Sequence, residues 1–98
     1  VEVTIASEYA VMSNYPNPFN PQTTISYEIN VGGNVELAVY NMLGQQIVSL
    51  RNGFVEAGKY NAVWNRIDSH GNEVASGIYM LKLTTESQVI SNKITLLR

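Results

Sequence analysis

Few residues in this chain could do chemistry. His70 is the sole histidine, and it lies in a polar loop, Asp68-Ser69-His70-Gly71-Asn72-Glu73. A base or a metal ligand would suit that position chemically. A nitrogen- or sulfur-ligated metal needs further histidines or thiolates, and the chain has no cysteine. His70 therefore reads as an ordinary turn residue. Asp68, Asn72 and Glu73 flank Gly71 and offer oxygens of the kind calcium takes. An EF-hand loop is longer and carries more acidic positions at fixed spacing. Serines are scattered, none in a nucleophile-elbow pattern, and no glycine-rich run cradles phosphate. Without convergent titratable groups, the chain reads as a non-enzyme that needs no cofactor and no metal.

Aromatic rings are the other candidate chemistry, because β-rich modules can stack sugars on them. The rings available are Trp64, Tyr60, Tyr79, Tyr40 and Phe54. Trp64 shares parity with Tyr60 and Ala62, and Tyr79 with Leu81 and Leu83. Both rows read as core-facing, whereas Tyr40 and Phe54 are less constrained.

The elements that must position these residues are strands. Ninety-eight residues make one domain at most. Hydrophobic content of 45% with 14% charged residues argues against disorder throughout. The net charge is −2 with scattered basic residues, which gives no footprint for nucleic acid. No apolar run approaches the ~20 residues of a membrane span. Glu2 and Glu8 stand where a signal peptide would be basic, so the chain reads as a piece cut from a longer protein.

All three prolines (Pro16, Pro18 and Pro21) fall in Tyr15-Pro16-Asn17-Pro18-Phe19-Asn20-Pro21. Proline fixes φ and lacks the backbone donor, so neither a helix nor a central strand passes through this stretch. A bare linker is one reading. Tyr15 and Phe19 argue for a docked lead-in that buries its rings. Before it, residues 1–14 read as a linker or N-terminal extension from a preceding domain, with Val1, Val3 and Ile5 alternating only weakly. After it, the period is two. Ile25, Tyr27 and Ile29 share one face. Val35, Leu37 and Val39 repeat the pattern after a turn at 30–34, which makes either a hairpin or a crossing between sheets. Imperfect alternation through Ile47, Val48 and Leu50 predicts a bulge or a two-sided strand. Asn52-Gly53 reads as a turn. Rows at Tyr60, Ala62 and Trp64, at Tyr79, Leu81 and Leu83, and at Ile94 and Leu96 complete about seven short strands, an all-β antiparallel β-sandwich.

The ordered series Tyr15-Pro16-Asn17-Pro18-Phe19-Asn20-Pro21, Thr24-Ile25-Ser26-Tyr27, Val39-Tyr40-Asn41-Met42-Leu43-Gly44-Gln45, Ala57-Gly58-Lys59-Tyr60, Trp64, Ala75-Ser76-Gly77-Ile78-Tyr79-Met80-Leu81-Lys82-Leu83 and Lys93-Ile94-Thr95-Leu96-Leu97-Arg98 resembles one family. It is the type A C-terminal sorting domain of the type IX secretion system of Bacteroidetes and related phyla. It is also similar to the Ig-like domain of the flagellar hook-capping protein, most clearly from Trp64 through Tyr79.

The resemblance implies an Ig-like sorting β-sandwich over residues 15–98, at the end of a larger exported protein. A cargo domain would precede it in the same chain. The cargo would cross the periplasm in transit, and the outer-membrane translocon would recognise the domain. A surface cysteine peptidase would cut ahead of it, within or before residues 1–14. The cargo would end at the cell surface or in the medium. The resemblance marks Pro16, Asn17, Pro18, Phe19, Gly44, Gln45, Gly77, Tyr79, Lys82, Lys93 and Arg98 as recognition candidates. The expected partners are therefore the translocon and the peptidase, with no nucleic acid, no membrane span and a monomeric state. The competing reading is an accessory β-sandwich of an extracellular hydrolase, a carbohydrate-binding module or a spacer.

Overall fold

A computed structural model describes residues 11–18 and 22–97. Alternation sets the architecture. An extended chain sends successive side chains to opposite faces, so a row of apolar residues two apart must find a second row to cover it. The strands are β1 (Val11–Tyr15), β2 (Thr23–Ile29), β3 (Gly33–Asn41), β4 (Gln46–Val55), β5 (Gly58–Trp64), β6 (Gly77–Thr84) and β7 (Val89–Leu96). They form two antiparallel sheets, one in the order β1-β2-β5 and the other in the order β4-β3-β6-β7. The inward rows Ile25, Tyr27 and Ile29, Val35, Leu37 and Val39, Leu81 and Leu83, and Ile94 and Leu96 are buried in one core with Met12, Val55, Trp64 and Tyr79. This is the expected all-β sandwich.

The segment at 30–34 carries the chain from one sheet to the other, because β2 and β3 lie in different sheets. The irregular alternation of β4 has the anticipated cause. Its pairing with β3 slips twice, between Leu37 and Ala38 and between Val39 and Tyr40. Each slip adds an unpaired residue to β4, first Leu50 and then Ile47. The bulges let Ile47, Val48 and Leu50 all lean on the core.

Two expectations fail. Asn52-Gly53 is not a turn: Asn52 pairs with Glu36 and Gly53 with Val35 inside β4. A turn dipeptide is a local preference, and here the long β3 offers a partner throughout, while Gly53 supplies the φ of +140° that the strand uses there. Residues 11–14 are not an unpatterned extension either. They form β1 with Tyr15, in register with β2 from Val11 opposite Glu28 to Tyr15 opposite Thr24. Among the described side chains of β1, Met12 is the one that lies in the core, so the strand leaves no apolar period to read. Residues 1–10 lie outside the described residues.

Candidate functional site

The proline lead-in leaves β1 at Tyr15, with cis peptide bonds before Pro16 and Pro18. Prolines cannot continue the ladder, so side chains hold the segment. The hydroxyl of fully buried Thr23 donates to the Pro16 carbonyl at 2.8 Å and accepts from Asn14 Nδ2 at 3.2 Å. The Asn17 carboxamide donates to the Lys93 carbonyl and accepts from the Thr95 N–H, both at 3.1 Å. The lead-in is thus docked, but not by Tyr15, which is 81% exposed. Parity explains the correction. Met12 points inward along β1, so Ser13 and Tyr15 point outward. Phe19 lies outside the described residues, as do Pro21 and Arg98.

Removing the Thr23 hydroxyl tests this anchorage. Thr23→Val keeps the shape but strands a carbonyl and an amide. It should cost about 1–3 kcal/mol, read as a lower urea midpoint at unchanged slope.

The β3–β4 turn is built by Asn41. Its Oδ1 accepts from the Leu43 and Gln45 N–H groups at 2.9 Å, and its Nδ2 donates to Gln45 Oε1 at 2.8 Å. Gly44 sits at φ +87° with its N–H on the Asn41 carbonyl, a conformation that suits glycine. The turn pushes Met42 and Leu43 into solvent. Gly77 opens β6 at φ +150°, opposite Leu96.

Register brings these places together. Asn41 pairs with Tyr79, Ile78 with Thr95, and Met80 with both Tyr40 and Lys93. The Gly44 and Gln45 turn, Gly77, Lys93 and the Asn17 clasp therefore share one end of the four-stranded sheet. Exposed Met42, Leu43, Ile78 and Leu97 surround them. On the outer face of that sheet, Lys82 Nζ lies 4.7 Å from the Tyr40 ring centroid, and exposed Lys93 lies diagonally across β7.

Tyr79 alone among the described candidates turns away from this surface. It is 8% exposed, its ring meets Trp64 edge-on with centroids 5.4 Å apart, and its hydroxyl donates to the Ala75 carbonyl. Burial pushes its phenol pKa up, and likewise that of Tyr27, where Arg51 opposes the shift. With Trp64 and Tyr79 both in the core, neither is placed to stack a sugar.

The 68–73 loop is built around Asp68. Asp68 Oδ1 accepts from the His70 and Asn72 N–H groups at 2.9 and 3.0 Å. Those bonds, that of Asn72 foremost, hold its carboxyl below the usual range. Among the described residues, no three His, Cys, Asp or Glu side chains are grouped to hold a metal. None forms a helix long and apolar enough to cross a membrane.

Sequence reasoning missed Thr23 and Asn92. Both stand on inward parities, Thr23 two residues before Ile25 and Asn92 between Ile90 and Ile94. Asn92 Nδ2 donates to the Met12 carbonyl at 3.2 Å and stitches β7 to β1 across the open side of the sandwich. A polar residue in a core-facing row was the available signal, since a buried polar group needs a partner.

Three solved structures share this fold. Dimeric latent PorU from Porphyromonas gingivalis aligns over 90% of this chain and 9% of its own, at 18% identity and a TM-score of 0.72. PorZ, described as an essential surface component of the type IX secretion system of the same organism, aligns over 89% and 11%, at 19% identity and 0.63. FlgD from P. aeruginosa aligns over 90% and 70%, at 22% identity and 0.61. The chain thus spans about a tenth of the length of the first two. No curated protein matches it in sequence. The secretion system C-terminal sorting domain family matches residues 13–96, which run from β1 to the last residue of β7. That match takes in every strand, the clasped lead-in and the Asn41 turn, and the chain belongs to this family of C-terminal sorting domains.

Proposed function

We propose that this chain is the address of a larger exported protein, read by the type IX translocon at the end of the four-stranded sheet where Asn17, Gly44, Gln45, Gly77 and Lys93 meet. The family is a C-terminal sorting signal for type IX secretion, and it is non-catalytic. The observation that carries the reading is the family match across residues 13–96. The convergence of sequence-distant turns and termini on one sheet end supports it. In this reading a cargo domain precedes the chain and passes through the periplasm. A surface cysteine peptidase cuts ahead of the sandwich, and the cargo ends at the cell surface or in the medium. The domain works as a monomer without a cofactor, and the chemistry belongs to its partners. Pro16, Pro18 and Lys82 flank the proposed contact surface, with Phe19 and Arg98 as further candidates from the sequence.

The test is a fusion. A signal peptide, a folded reporter and residues 1–98 are expressed in a host with a type IX system. The reporter is expected outside the cell. A folded fusion held in the periplasm overturns the reading.

A further inference from the structure

Among the described residues, β7 is paired on one side only, with β6. In an antiparallel pair, alternate residues turn both backbone groups away from the partner. The Asn17 bonds identify which they are in β7. The Lys93 carbonyl and the Thr95 N–H face outward, and alternation adds Ser91 and Val89. Asn17 makes the two bonds that one residue of a parallel strand would make opposite Ile94, accepting from one neighbour and donating to the other. Among the described residues, this carboxamide is what bonds the outward side of β7. It is exposed, and it sits between two prolines that cannot prolong the pairing. Asn92 ties β7 to the Met12 carbonyl from the inward face, so the edge is held in place without being paired.

The geometry points to the outward edge of β7, residues 89–95, as a strand-addition site, with Asn17 as a displaceable placeholder. The occupant is an extended, acidic segment of a translocation partner that runs parallel to β7. This rests on the sorting reading above. Backbone bonding supplies the contact, and Lys82 and Lys93 on the adjoining face favour carboxylates in the incoming strand. A second copy fits poorly. Two β7 edges related by a two-fold axis would pair antiparallel and bring Lys93 toward its own kind, whereas the placeholder has parallel geometry.

The test uses proline on the outward parity. Ser91→Pro removes an N–H that β6 does not use, so melting should stay within a few degrees of the parent chain. Export of the reporter fusion should fall at least roughly tenfold, as expected when strand addition is blocked. In the purified chain, Asn17→Ala should speed exchange of the Thr95 amide by roughly tenfold or more. A folded Ser91→Pro fusion exported like its parent overturns the proposal. Val89→Pro serves if Ser91→Pro unfolds. Unfolding of both means that these N–H groups are not outward, and the proposal falls. Dimerisation of Asn17→Ala in light scattering would name a second copy as occupant and overturn the heterologous strand. If the parent fusion itself stays in the periplasm, the sorting reading fails and takes the edge site with it.

Discussion

Trp64→Ala is expected to lower the melting midpoint of the domain by about 15 °C or more. Trp64 closes β5 with 1% of its surface exposed, and its Nε1 donates to the Ile67 carbonyl at 3.0 Å. Truncating a buried tryptophan costs about 3–5 kcal/mol through lost transfer energy and the cavity left behind. The edge-on pairing with Tyr79 adds about 0.5–1.5 kcal/mol, and the Ile67 carbonyl loses its donor. A domain of this size holds about 5–15 kcal/mol in total, so the loss takes roughly a quarter of that or more. Each kcal/mol moves the melting point of such a domain by about 4–8 °C, and the midpoint should fall by 15 °C or more. Differential scanning calorimetry checks it. Trp64→Phe separates the causes: it keeps most of the apolar volume and gives up the indole N–H, so its loss should be markedly smaller. A midpoint for Trp64→Ala within 5 °C of the parent would mean that the core closes without this ring.

What the sequence showed and what it hid divide along a physical line. Strands with several inward apolar residues were legible: Ile25, Tyr27 and Ile29 announce β2, and Tyr79, Leu81 and Leu83 announce β6. The doubly bulged β4 was legible as an irregularity. β1 was not, because Met12 is the one core residue among its described side chains and pairing with β2 does the rest. Asn52-Gly53 misled because a dipeptide preference is worth less than a partner strand along its whole length. The docking of the lead-in was legible, but its means was not. Aromatic burial is what a sequence suggests for Tyr15, whereas the structure anchors the segment through Thr23 and through Asn17, whose partners lie 76 and 78 residues away. No local pattern carries a bond across that separation. The same holds for the gathering of Gly44, Gly77 and Lys93 at one sheet end, which the register creates.

Reversing charge on the outer face should stop export without unfolding the domain. Lys82 and Lys93 sit on neighbouring strands, offset by one pair, and both side chains leave the core. Lys82→Glu removes the ammonium from above the Tyr40 ring, a half-buried cation–π contact on the sheet surface worth about 1 kcal/mol. Lys93 makes its clasp contact through its carbonyl, which the substitution leaves in place. The melting point of the double variant should therefore drop by only a few degrees. A partner that reads this face meets a different outcome. Like charges brought together at an interface cost several kcal/mol, and each 1.4 kcal/mol is a tenfold loss of affinity. The Lys82→Glu, Lys93→Glu fusion should accumulate in the periplasm, with export lower by roughly 10- to 100-fold. The double Gln variant, which removes charge without reversing it, should lie between that variant and the parent. Counting reporter inside and outside the cell, beside a melting curve of each purified chain, decides the matter. Export at the parental level by a folded Glu variant would place the recognised surface elsewhere.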